Sequence, residues 1–183
     1  MSIPKSRRGL LNHFNRASAE IRNYFQYLPK LLADFPLDVC LAYLFARLEL
    51  AQNMTLYCGV VKLHHANAAV ARSATDTHRM TRGDFRDKFQ TVFGKQIPDK
   101  ITDALETAED VRDRVMHGKS TREKDKRNAI AKVIDYAEAL NTFVDSIASF
   151  SPFGDLRGFK GRARSLDKST TRWLLKGMGF SLS

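Results

Sequence analysis

Apolar residues recur along this chain at steps of three and four, the spacing that gathers side chains on one face of an α-helix. Leu10, Phe14, Ala17, Ile21, Tyr24 and Leu28 form the first such stripe. Pro4 suits a first turn and Pro29 a stop, so one helix is expected between them, with Arg16, Glu20 and Asn23 on its polar face. Asp38, after Pro36, can cap a second helix whose stripe runs Leu41, Leu44, Phe45, Leu48, Thr55, Leu56, Val60 and Leu63, continuing weakly from Ala66 to Ala71. The stretch from Ser73 to Met80 is polar and aperiodic and reads as a loop. Thr81 with Asp84 has the form of a capping box, opening a short helix that turns Phe85, Phe89, Val92 and Phe93 inward and stops at Gly94.

Pro98 opens a further helix with the stripe Ile101, Leu105, Ala108, Val111 and Val115. Acids crowd its first half and basic residues its end, an order that suits the helix macrodipole. Ser120 and Glu123 repeat the capping-box pattern before a long helix carrying Ile130, Val133, Ile134, Ala137, Leu140, Val144 and Ile147 on one face. Ser151-Pro152-Phe153-Gly154 breaks it. Beyond a glycine- and arginine-rich segment, a short helical pattern with Leu166, Thr170, Trp173 and Leu174 ends at Gly177. Trp173 beside Arg172 could stack a base, but Trp173 and Leu174 are expected to dock this helix on the body, because burying an indole removes a large apolar area from water. Alternating apolar runs long enough for a strand are missing, so the expected fold is all-α, an antiparallel bundle of about five or six helices with a basic C-terminal extension.

A chain of 183 residues, 43% of them hydrophobic, can bury a single core. Three segments are expected: a basic N-terminal helix over 1–30 packed on the bundle, the bundle over 31–150, and a tail over 151–183. The longest apolar run, from Val39 to Ala46, is far too short to span a bilayer, and Met1 to Leu11 lacks the apolar stretch of a signal peptide, so no membrane is implied and a cytoplasmic location is expected. Cys40 and Cys58 each lie inside an apolar helical pattern and read as core residues. The net charge of +10 is unevenly spread. Residues 1–30 hold six Lys/Arg against one acid, residues 151–183 seven against two, and residues 31–150 seventeen against seventeen. Basic ends around a neutral middle point to a polyanion, most simply nucleic acid.

The chemistry concentrates at Val111-Arg112-Asp113-Arg114-Val115-Met116-His117-Gly118. Histidine can give or take a proton near neutral pH, and arginine can hold the charge of a phosphate, so the two suffice to cut RNA without a metal. Arg8 with His13 has the same spacing and Arg72 with His78 one residue more, but only Arg112 and His117 pair a polar residue after the arginine with the last turn of a long helix, a glycine stop and another long helix. On a helix, residues five apart differ by about 140° in azimuth and residues four apart by about 40°. Asp113 is therefore the helical neighbour of His117, placed to accept a hydrogen bond from one ring nitrogen and fix its tautomer.

Arg112-Asp113-Arg114-Val115-Met116-His117 resembles the motif of the HEPN superfamily (higher eukaryotes and prokaryotes nucleotide-binding): arginine, a polar residue that is usually Asn or Asp, three variable residues and histidine, between two long antiparallel helices. The resemblance spans about residues 37–150 as architecture and six residues as sequence. It implies a HEPN-like helical bundle acting as a metal-independent ribonuclease, often a toxin with an antitoxin partner or a phage-defence effector, with the active site formed where the motif helices of two protomers meet. Arg112 and His117 would be catalytic and Asp113 supporting. Lys119 stands where a toxin subgroup carries a tyrosine that a partner enzyme modifies, so that mode of neutralisation is not implied. The RNA backbone would be guided by Lys119, Arg122, Arg157, Lys160, Arg162 and Arg164, and no cofactor is required. The alternative is a non-catalytic HEPN-like module that binds nucleic acid or a partner protein. His64 and His65 diverge on a helix and lack partners at ligand spacing, so they read as surface residues.

Overall fold

Helical periodicity becomes helix throughout the described residues, 3–76, 80–156, 159 and 164–182 of a computed structural model, and no strand occurs among them. Among the described residues no helix is long and apolar enough to cross a membrane.

The N-terminal stripe forms three helices where one was expected: α1 (Arg7–Asn15), α2 (Ala19–Tyr24) and α3 (Leu28–Asp34). Ser18 makes the break, since its side chain caps α2 by accepting from the Ile21 N–H while its own N–H donates to Glu138. Pro29 sits in the first turn of α3, where a missing N–H leaves no bond unmade, so it opens a helix instead of stopping one. The next helix, α4 (Leu37–Leu63), takes Asp38 into its first turn, where the carboxylate pairs with Lys126. It ends before His65, whose φ of 56° is left-handed. The weak continuation is thus a separate helix, α5 (Ala68–Asp76), begun by Asn67, whose side-chain oxygen accepts from the N–H groups of Ala69 and Val70. Its last turn claims Ser73 to Asp76, expected as loop, and residues 77–79 lie outside the described set.

Thr81 and Asp84 form the expected reciprocal box at α6 (Arg82–Phe93), which Gly94 ends with φ 65°. α7 (Asp99–Met116) follows Pro98. α8 (Glu123–Ala148) starts later than the Ser120 pattern implied, with the Arg122 carbonyl accepting from Asp125 and Lys126. α9 (Lys168–Gly177) is capped by Asp167, which accepts from the Thr170 N–H.

The chain resolves into two compact units, the first made of residues 1–48 and 98–143, the second of residues 49–97 and 144–183. In the first, α1 and α2 run alongside α8 in the same direction. Arg127 reaches the Pro4 carbonyl, His13 pairs with Asp135, and Asn141 donates to Glu20. α3 returns on α1, whose Arg7 donates to the carbonyls of Leu32 and Phe35. α7 and α8 form an antiparallel hairpin, across which Lys132 meets Thr107. Leu10, Phe14, Ile21, Phe25, Leu41, Leu44, Leu105, Ile130, Ile134 and Leu140 are buried there, each large side chain contributing about 1.5–3 kcal/mol of hydrophobic stabilisation.

In the second unit, Phe85, Phe89 and Val92 of α6 are buried with Leu56 and Val60 of α4. Phe89 stacks on Phe93 with ring centroids 4.3 Å apart. His64 bonds the Val92 carbonyl at 2.6 Å, making it a stitch between elements and not a surface residue. α9 packs on α5.

Candidate active site at the end of α7

The backbone at the motif is a helix end closed by a left-handed glycine. Gly118 (φ 66°) lets its own N–H reach the Val115 carbonyl and the Lys119 N–H reach Arg114, the paired bonds of a Schellman ending. His117 occupies the C-cap, with its N–H on the Asp113 carbonyl. Its ring is exposed and has no hydrogen-bond partner among the described residues.

Arg112 is held more firmly. Its guanidinium carbon lies 4.9 Å from the centroid of the Phe45 ring on α4, and its Nε lies 2.8 Å from Asp113 Oδ1. A cation over an aromatic face gains about 0.5–2 kcal/mol, so the side chain is fixed on the flank of the hairpin. Asp113 therefore serves Arg112, and the hydrogen bond to His117 expected from the one-turn spacing is not formed. Arg112 and His117 are not brought together within one chain.

Around this turn, Arg114 and Lys119 are exposed. Arg122 is exposed too, but its Nε is 2.8 Å from Asp125 Oδ2, and this pairing lowers the Asp125 pKa and raises that of Arg122. Met116 is 64% exposed and Val115 half-buried, leaving apolar surface beside His117. Of the remaining RNA-binding candidates, Arg164 is exposed in the second unit, whereas Arg157, Lys160 and Arg162 lie outside the described residues.

A cleft of about 250 Å³ on α6, lined by Gly83, Arg86, Asp87, Gln90, Gln96 and Ile97, borders none of the residues singled out by the sequence. Among the described residues no three His, Cys, Asp or Glu side chains gather as a metal site.

Sequence reasoning missed a histidine with a carboxylate partner. His13 Nε2 lies 2.9 Å from Asp135 Oδ1 in the first unit. The hydrogen bond to Asp135 is the largest influence and raises the His13 pKa; burial opposes it, and a backbone bond to Ala131 adds to it. The signal was the i,i+3 stripe of α8, which sets Asp135 beside the apolar face, but nothing local in the sequence links it to a residue 122 positions away.

No protein-family model matches the chain, and comparison with curated proteins and with solved structures finds no match.

Proposed function

We propose that the protein is a metal-independent endoribonuclease of the HEPN type that acts as a homodimer, with a site composed of Arg112 and His117 from both protomers. The observation that carries this reading is the contrast at the end of α7: a guanidinium held by Phe45 and Asp113, and, five residues on, an exposed imidazole with no hydrogen-bond partner among the described residues. A single chain thus supplies an electrostatic anchor and a free acid–base group pointing apart, an arrangement that a two-fold axis near Met116 would complete.

In the proposed reaction, one His117 takes the proton from the RNA 2′-hydroxyl, the 2′-oxygen attacks the adjacent phosphorus, and the partner's His117 protonates the departing 5′-oxygen. Arg112 stabilises the negative charge that grows on the phosphoryl oxygens. The products are a 2′,3′-cyclic phosphate and a 5′-hydroxyl. Lys119 and Arg114 guide the backbone with little sequence preference. Toxin or phage-defence activity, with an antitoxin partner, extends the same reading.

The test is cleavage of mixed RNA by the purified protein in excess chelator. Wild type is expected to cut RNA, leave single-stranded DNA intact for want of the 2′-hydroxyl, and lose most activity in Arg112→Ala and His117→Ala. Undiminished cleavage by His117→Ala would contradict the assignment.

A further inference from the structure

Trp173 is the single tryptophan of the chain and was expected to dock α9; instead it is 79% exposed. The rotation of α9 explains this. Thr171 is buried and its hydroxyl accepts from the Asn67 N–H, Leu175 one turn later is fully buried, and just ahead of the helix the Leu166 N–H donates to the His65 carbonyl. These contacts lie within the second unit and lock the Thr171/Leu175 edge inward. Trp173, two residues from each, stands about 200° around the helix and faces solvent.

Its neighbours at three- and four-residue spacing are Ser169, Thr170, Lys176 and Gly177. Lys176 lies one turn on and Arg172 directly precedes the indole, about 100° around the helix, and both cations are exposed and make no ion pair among the described residues. The nearest acid along the chain, Asp167, is committed to the Thr170 N–H and hydroxyl, and on the packed helix α5 Arg72 is paired with Asp76. The second unit as a whole holds fourteen Lys/Arg against seven Asp/Glu.

We infer that the outer face of α9 is a binding site for single-stranded nucleic acid, in which one unpaired base stacks on Trp173 while Arg172 and Lys176 hold the flanking phosphates. An indole presents a flat face that any base can stack on, and cations at its edge match the spacing of a backbone charge beside a base. A bilayer would need a broad apolar face, but Leu175 is buried and Leu174 half-buried, leaving Trp173 as the one exposed large apolar side chain of α9. A protein hot spot sits at the centre of a well-packed apolar patch, whereas Trp173 stands among polar and basic side chains. The inference does not rest on the ribonuclease reading, since a strand lacking 2′-hydroxyls would bind here whether or not the first unit cuts RNA.

The single tryptophan makes the test direct. Titrating the full-length protein with a short oligothymidylate should quench its fluorescence saturably, and the affinity should fall steeply with salt. In anisotropy measurements with labelled oligothymidylate, Trp173→Ala should bind roughly five- to 150-fold more weakly, the range for loss of one stacked base. Arg172→Glu with Lys176→Glu should weaken binding and flatten its salt dependence. Both variants should melt like wild type by circular dichroism, because the altered side chains are exposed. No quenching at saturating oligothymidylate, or unchanged affinity in Trp173→Ala, would overturn the inference. Quenching by phosphatidylserine vesicles but not by the oligonucleotide would overturn it in favour of a lipid surface, and loss of self-association in Trp173→Ala without loss of oligonucleotide binding would overturn it in favour of a protein contact.

Discussion

Asp113 and His117 stand one helical turn apart, yet the carboxylate pairs with its chain neighbour Arg112. The consequence is a distinct mutational signature. Asp113→Ala should loosen Arg112 without altering the protonation chemistry of His117, lowering RNA cleavage less than the hundredfold or so expected for Arg112→Ala, with an unchanged pH–rate profile. Single-turnover rates across pH would check this. The glycine stop after His117 was legible in the sequence because it is local. The partner of Asp113 was not, because a backbone spacing fixes which residues are neighbours and not which of two neighbours a carboxylate prefers. Trp173 illustrates the same limit: Leu166, Thr170, Trp173 and Leu174 make as good a stripe as Thr171 and Leu175, and a hydroxyl contact to Asn67 decides between them. The thiols followed the pattern. Burial pushes the Cys58 thiol up to about 12, so it should resist alkylation at neutral pH until the protein is unfolded.

At the scale of elements, α1 is held on α8 by His13, and this contact is pH-dependent. The raised pKa means that the protonated ring is favoured by folding, mainly through Asp135, with Arg16 opposing. Its contribution is complete below the ordinary value of 6.5 and is lost as the pH rises through the higher folded value. The melting temperature should therefore fall as the pH rises from about the ordinary value of 6.5 through the raised folded value, and His13→Gln should abolish that part of the change. Gly59 of α4 offers a second test. A Cβ there would lie 2.6 Å from the Phe93 ring and 2.7 Å from Val92, so Gly59→Ala should destabilise by about 1–2 kcal/mol in a denaturant melt, the clash outweighing the gain in helix propensity of about 1 kcal/mol. Helix existence was largely readable from the apolar period, and the Thr81 box to the residue. Boundaries failed where long-range bonds ended a helix that the period would have continued, at Ser18 through Glu138 and at His65 through Leu166.

For the whole molecule, the all-helical class follows from the sequence, whereas the two units do not, because each is assembled from two stretches and two of the three boundaries fall inside α4 and α8, where the apolar period runs unbroken; the third, at Ile97 and Pro98, lies between α6 and α7. The positive charge is also apportioned differently by unit than by chain position: the first unit holds sixteen Lys/Arg against thirteen acids and the second fourteen against seven. A composite site demands that two chains meet at Val115 and Met116. Met116→Glu should accordingly weaken self-association in light scattering and reduce specific activity in parallel, while melting like wild type because the residue is exposed. The most direct test of the central claim is to mix the Arg112→Ala and His117→Ala proteins, each inactive alone, and follow RNA cleavage in excess chelator with identification of the product ends. The account predicts that mixing alters activity through heterodimers and that wild type leaves 2′,3′-cyclic phosphate ends, with activity per chain falling on dilution. A protein that stays monomeric while cleaving at full rate, or that cuts undiminished without His117, would contradict it.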